Sequence, residues 1–361
     1  MPSFATKLAE AFAKETVKIF YQGSVIDDIA NRNYEGEIKG VGSLLNVLTF
    51  SKLSMKTYTG SALTADSLTE SNAQLNMNQQ KAYYFKIQSL SKFQSYIKNP
   101  ESTILDQVGN ELKEVVDAYG LGLYTKTAAG NRVGTDYTTG TVAITAVTGA
   151  VVGTGTTFTA AMVGRGFKAT GHTKWYNVTA YTDATHITIA DDLDDVTAAY
   201  TGGTIAGGTA YTVEANTPVA LTASTVYQQL ANVKQRLDAA KIPLADRSIV
   251  MPSKVVAMVM QSTSLVTAVD ASYENAVTKG IIGMVLGMKL YMSEQVAGDN
   301  VNGYHCIAAH KSWLTFAEAY TETGIEPLIG DFGQAYKGLF IYGAKVIDER
   351  RKAGAELFCT A

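Results

Sequence analysis

The sequence predicts an α+β chain interrupted by an independent all-β module, and three observations carry this. Between Gly134 and Ala215 the composition turns to 21 Thr and 12 Gly in 82 residues, with short apolar runs TVAIT, WYNVTAY and THITIA. That is the make-up of a sheet with many tight turns. Before it, Ile104, Leu105, Val108, Leu112, Val115, Val116 and Tyr119 recur at three- and four-residue spacings, which places them on one face of a helix. After it, MKLYMSEQV, YHCIAAHKSWLTFAEA, KGLFIYGAKVIDER and AELFCTA alternate as strands of a mixed domain do. With 361 residues, the chain is long enough for about two domains of the usual ~100–200 residues.

Taken in order, residues 3–21 read as an amphipathic helix, because Phe4, Leu8, Phe12, Ile19 and Phe20 fall near a helical period with Lys and Glu between them. Residues 1–30 form an arm whose apolar face has no local partner. Two long strands follow, at about 45–58 and 75–90, joined by the polar stretch SALTADSLTESNAQ. Strands longer than the usual five or six residues predict a hairpin that projects from its domain. Asn99-Pro100-Glu101 then starts a helix over 100–120: Asn caps, Pro fits the first turn and Glu meets the positive end of the dipole. This part of the body spans 31–133. The module at 134–215 is expected to be Ig-like, a small sandwich or barrel. In TASTVYQQLANVKQRLDAAKIP the residues Val226, Leu230, Val233 and Leu237 share a helix face, RSIVM is a strand, and another helix begins at Pro252. The body resumes over 216–361, so the module sits as an insertion at a surface site.

Charge separates the same two parts. Thirty Lys and Arg against 33 Asp and Glu give a net −3. Arg165, Lys168 and Lys174 face seven acids inside the module, leaving it at −4, and the remaining 27 cations and 26 anions leave the body at +1. No basic field exists to grip nucleic acid. Only 17% of residues are charged, below the ~25% of ordinary soluble proteins, which is consistent with surface given over to assembly. Cys306 and Cys359 have no metal or disulfide spacing, and free thiols are expected. The N-terminus carries Lys7, Glu10, Lys14, Glu15 and Lys18, unlike a signal peptide. The 28 uncharged residues Tyr137–Gly164 include 14 Thr or Gly, a strand composition and not a membrane span.

Catalytic patterns do not emerge. GxSxG, HExxH and GxxxxGK[ST] are missing. His305 and His310 are five residues apart, on opposite faces of a strand. GRGFKA at 164–169 matches a dinucleotide fingerprint formally but lacks the following helix, so a turn needing positive φ is expected. The run Asp191, Asp192, Asp194 and Asp195 lacks the spacing of a calcium loop and reads as a solvated acidic turn. Neither a cofactor nor a metal is expected, and the chain is read as no enzyme. Trp175 and Tyr176, with Tyr181, are the aromatics that would stack on a sugar if the module bound one, and with the acidic run they mark its candidate surface.

A loose arm, an over-long hairpin, a long helix and then an α+β domain is an order of parts that resembles the major capsid (coat) proteins of tailed bacteriophages, a fold shared with herpesvirus shells. LTESNAQLNMNQQKAYYFKIQSLSKFQS looks like that family's second hairpin strand leading to its spine helix. RLDAAKIPLADRSIVMPSKV and GIIGMVLGMKLYMSEQV look like recurrent stretches of its axial domain. The resemblance covers roughly 1–130 and 216–361. GTGTTFTAAMVGRGF and WYNVTAY look like small β-domains found in various phage virion proteins.

The resemblance implies a structural protein of the virion, assembled in the host cytoplasm as pentamers and hexamers into an icosahedral head around double-stranded DNA. Scaffolding protein and portal are implied partners, a decoration protein is a further one, and no membrane is involved. Shells need contacts that close into rings. The candidate assembly residues are Phe4, Leu8 and Phe12 in the arm, and Tyr58, Leu63, Leu68, Tyr83, Tyr84 and Phe85 in the hairpin. The alternative is a tail or decoration protein with a carbohydrate-binding β-domain.

Overall fold

The computed structural model describes residues 24–33, 44–50, 55–58, 70–88, 100–191, 199–262, 281–328 and 332–361. Phe4, Leu8, Phe12, Leu63, Leu68, Asp192, Asp194 and Asp195 lie outside the described residues, as does the helix expected over 3–21.

The body is organised around a mixed sheet. Its strands run in the order Val219–Ala220, Gly354–Thr360, Gly303–His310, Arg247–Met251, Met288–Met292, Ile281–Val285. The predicted strand RSIVM is buried at every position, as a central strand covered on both faces should be. Helix Val226–Ala239 turns Val226, Leu230, Val233 and Leu237 into this core, the face its spacing predicts. Helix Ser253–Gln261 follows Pro252, its first amide donates to Glu294 at 2.9 Å, and it buries Val255, Val256 and Val259.

A second, three-stranded sheet is made by the 14-residue strands Leu314–Pro327 and Gly333–Val346 with Gln79–Gln88 at one edge. Here the structure corrects the two long strands read from the sequence. Leu44–Phe50 pairs with Glu70–Asn76, from Leu44↔Asn76 to Phe50↔Glu70. The chain then changes partner at Met77-Asn78, and Gln79–Gln88 pairs with Gly333–Val346 instead. The reason is packing at the switch: Ala73, Leu75 and Met77 are buried against Ala317, Ile341 and Ile347, which fixes the hairpin's root on the sheet. Gly343 permits this approach, since a Cβ there would collide with the carbonyl of Asn76.

The long helix spans Pro100–Leu121, about 33 Å at the standard rise. Among its described side chains, those fully buried lie in the final turns. Asp117 accepts hydrogen bonds from the Ser24 hydroxyl at 2.7 Å and from the amides of Val25 and Ile26 at 2.9 and 3.2 Å, satisfying the start of the short helix Ile26–Ile29. Gly120 lets Ile26 press onto the helix axis. Residues 24–30, the last part of the predicted arm, are therefore anchored at the C-terminal end of the long helix.

The Ig-like sandwich expected of the Thr/Gly-rich stretch is not borne out: the stretch forms one eight-stranded sheet. Its order is Ile205–Thr209, Thr141–Ile144, Ala150–Thr154, His186–Ala190, Tyr176–Asp183, Gly166–Ala169, Tyr211–Thr217, Thr135–Tyr137. The first and seventh strands of that path are joined by the single residue Ala210. In a flat sheet six spacings of about 4.8 Å would separate them by about 29 Å, whereas one residue spans at most about 3.6 Å. The sheet must roll up, bringing its two ends together as a barrel does. Phe158, Met162, Phe167, Tyr176, Val178, Ile189, Tyr211 and Val213 are among the side chains that fill the interior.

Both ends of the module attach to one strand of the body. Arg132–Val133 runs parallel to Glu356-Leu357, and Val219–Ala220 runs parallel to Cys359-Thr360.

Candidate functional site

Two places combine unusual exposure or charge with well-placed side chains: the face of the long helix, and the junction between module and body.

Along the helix, Ile104, Val108, Leu112 and Val115 are only half-buried and Leu105 is exposed. Their apolar stripe does not close onto the three-stranded sheet. It borders an open groove of about 910 Å³, lined also by Tyr83, Ile325, Tyr336 and Phe340. Gln79–Gln88, beside it, forms an edge of the three-stranded sheet among the described residues. Of the aromatics singled out by sequence, Tyr83 lies on Gly338 and Phe85 stacks on Tyr336 with ring centres 5.0 Å apart, so both are used within the chain. Tyr84, on the opposite face, is 68% exposed, as is Tyr58, and Met55 is almost fully exposed.

At the junction lies a charged cluster that the sequence reading did not single out. Arg132 lies in the strand that leads into the module, and its side chain is buried. Its guanidinium donates to the carbonyls of Gly164 at 2.6 Å, Thr125 at 3.0 Å and Thr127 at 2.8 Å. It also sits 3.4 Å from Glu214 of the module and 3.2 Å from Glu356 of the body. Arg165 reaches across from the module to both oxygens of Glu356, at 2.9 and 3.1 Å, with its guanidinium 4.8 Å above Phe358. His305 Nδ1 is 2.6 Å from Glu356, and its ring is sandwiched between Tyr124 and Phe358 at 3.9 and 4.4 Å. Glu214 accepts from the amides of Gly130 and Gly166 at 2.7 and 3.1 Å, and a side chain at 166 would strike its carboxylate.

The two carboxylates are pushed apart by these surroundings. Burial drives Glu356 upward, but the His305 hydrogen bond together with Arg165 and Arg132 prevails and holds it at about 2. Glu214 is raised to about 7, because burial outweighs Arg132 and the amide donors while Glu356 adds repulsion. These residues escape a sequence reading because Arg132 and Glu214 are 82 positions apart and Arg165 and Glu356 are 191 apart. The one available signal was Glu356 inside the apolar run AELFCTA.

On the module, Tyr176 is a core residue at 3% exposure, which corrects its place on the candidate surface. Trp175 is half-buried against Gly130 beside a cleft that also includes Asn177, Asp191 and Arg351. Asp191 is engaged by Lys174 at 2.6 Å and the Thr201 hydroxyl at 2.7 Å. Gly164 has φ +83, the turn expected of GRGFKA. Among the described residues no three of His, Cys, Asp or Glu gather to hold a metal, and no helix is long and apolar enough to cross a membrane.

No family model matches the chain, and no curated protein does. Solved structures do. One from Mycobacterium phage Che8 aligns with a TM-score of 0.61 at 14% identity, covering 98% of each chain. The capsid of the cyanophage P-SCSP1u aligns at 0.57 and 14% identity, over 98% of this chain and 93% of that one. The capsid of Ralstonia phage GP4 aligns at 0.56 and 11% identity, over 100% and 98%. Likeness that spans whole chains at such identities lies in the course of the backbone, and on that ground this chain has the fold of phage capsid proteins.

Proposed function

We propose that the chain is the major capsid protein of a tailed bacteriophage, a structural subunit and not an enzyme. Many copies close as pentamers and hexamers into an icosahedral head around double-stranded DNA. The observation that supports this best, on a fold shared with phage capsids, is the open apolar groove beside the long helix with a strand edge next to it. A groove lined by Leu105, Val108, Leu112 and Phe340 is costly to leave in water, and in a shell a neighbouring copy covers it. The exposed Met55 and Tyr58 belong to the hairpin segment that would reach such a neighbour. One subunit making several moderate contacts accumulates large avidity. Near-neutral charge on the body suits a wall that encloses DNA without gripping it. In this reading the module, at −4, faces outward, where a decoration or host partner is met, and scaffolding protein and portal take part in assembly in the host cytoplasm.

The test replaces residues 51–69 by Asn-Gly. Phe50 and Glu70 are directly paired, so a two-residue turn closes the shortened hairpin without disturbing its root. Expressed with its scaffolding partner, the natural chain should give closed shells in electron microscopy, with the module on the outside. The shortened chain should stay folded and soluble without shells. Normal shells from the shortened chain would refute the hairpin's role. A natural chain that stays small and binds glycans would favour the tail or decoration reading.

A further inference from the structure

The module and the body keep separate apolar cores: no residue of the module's buried cluster belongs to the body's. Domains joined without a large apolar interface move relative to each other by default. Here the two chain crossings, near 133–135 and 217–219, are supplemented by the charged hub. Arg132 stays with the body through Thr125, Thr127 and Glu356, while Arg165, Gly164 and Glu214 belong to the module.

We propose that the hub is a latch: with Arg165 seated on Glu356 the module holds one orientation, and when that pair separates, and with it the contacts of Arg132 and Gly130 to Gly164 and Glu214, the module turns as a rigid body about its two crossings without unfolding. Two features favour a latch over permanent glue. The Arg165 side chain is 11% exposed against 1% for Arg132, so it lies at the rim of the hub and can return to water. Beside it is a cavity of about 280 Å³ whose lining includes Arg132, Arg165, Asn216, His305 and Glu356 as well as Val163 and Phe358, large enough to admit water to the separated charges.

The groups facing each carboxylate set the response to pH. Glu356 faces Arg165, Arg132, His305 and Glu214, and binds its proton less tightly when seated than the ordinary 4.5. That contribution is complete above about pH 4.5 and is lost as pH falls toward 2. Glu214 faces Arg132 and Glu356 and retains its proton up to about 7 when closed. Its contribution is complete below about pH 4.5 and is lost as pH rises toward 7. Closure is therefore most favoured between the two.

Spin labels on Thr182→Cys and Lys311→Cys of the full chain, both exposed positions, measure the module's orientation, while hydrogen exchange in Ala150–Thr154 and His186–Ala190 reports its integrity. The expected result is one narrow distance at about pH 5. In Arg165→Met and Glu356→Gln a second distance should appear, with about tenfold more of the open population and unchanged exchange in the barrel strands. An unchanged distance in both variants would overturn the latch. Loss of barrel protection in step with the distance change would make the hub a plain folding element and overturn it equally.

Discussion

The inserted barrel and the region of the long helix handle apolar surface in opposite ways. The barrel rolls its sheet until the ends meet and places Phe167, Val178 and Val213 fully inside. The helix region has comparable apolar material in Leu105, Val108 and Leu112, yet leaves it on a groove beside a strand edge. One region completes itself within the chain. The other is left open by the described residues, as the proposed role of a subunit in a larger assembly requires.

That contrast can be broken most forcefully by paired truncations. Phe167→Ala should destabilise the barrel by about 3–5 kcal/mol, whereas Leu112→Ala should cost the isolated subunit less than about 1 kcal/mol while sharply reducing particle yield. The only two tryptophans, Trp175 in the module and Trp313 in the body, let denaturant melts follow each part separately. Equal losses would mean that the groove is ordinary core.

Acid should separate the regions next. Because Glu356 is held at about 2 against an ordinary 4.5, its contribution, on the order of 3 kcal/mol, is lost as pH falls from about 4.5 to 2. Glu356→Gln should flatten that limb of the stability curve. If the limb is as steep in the variant, acid sensitivity arises elsewhere.

The smallest expected effect is at the hairpin root. Gly343→Ala meets the Asn76 carbonyl and should cost about 1–3 kcal/mol, with faster hydrogen exchange at Leu75 and Met77 while the barrel is untouched. Exchange that stays slow at Leu75 would show that the root tolerates displacement.

Much of this was legible in residues alone. Pro100, with the apolar spacing that follows, marked the long helix, and Val226, Leu230, Val233 and Leu237 marked both a helix and its buried face. Thr and Gly density marked the module. Strand partners were not legible. Nothing local in LNMNQQKAYYF states that pairing switches at Met77-Asn78, because the switch is imposed by Ile341 and Ala317, far along the chain. Tyr176 was grouped with Trp175 as a sugar-stacking aromatic, yet adjacent strand residues face opposite sides, and Tyr176 and Val178 are buried in the core.

The sequence by itself determined the local periods, the turns and the division of charge between a −4 module and a +1 body, since these depend on neighbours a few residues apart. Tertiary structure alone decided that the module closes as one sheet, that the long helix borders an open groove, and that Arg132, Arg165, Glu214, His305 and Glu356 meet. Each depends on contacts between distant positions, and a buried charge is tolerated only where the fold delivers its partners.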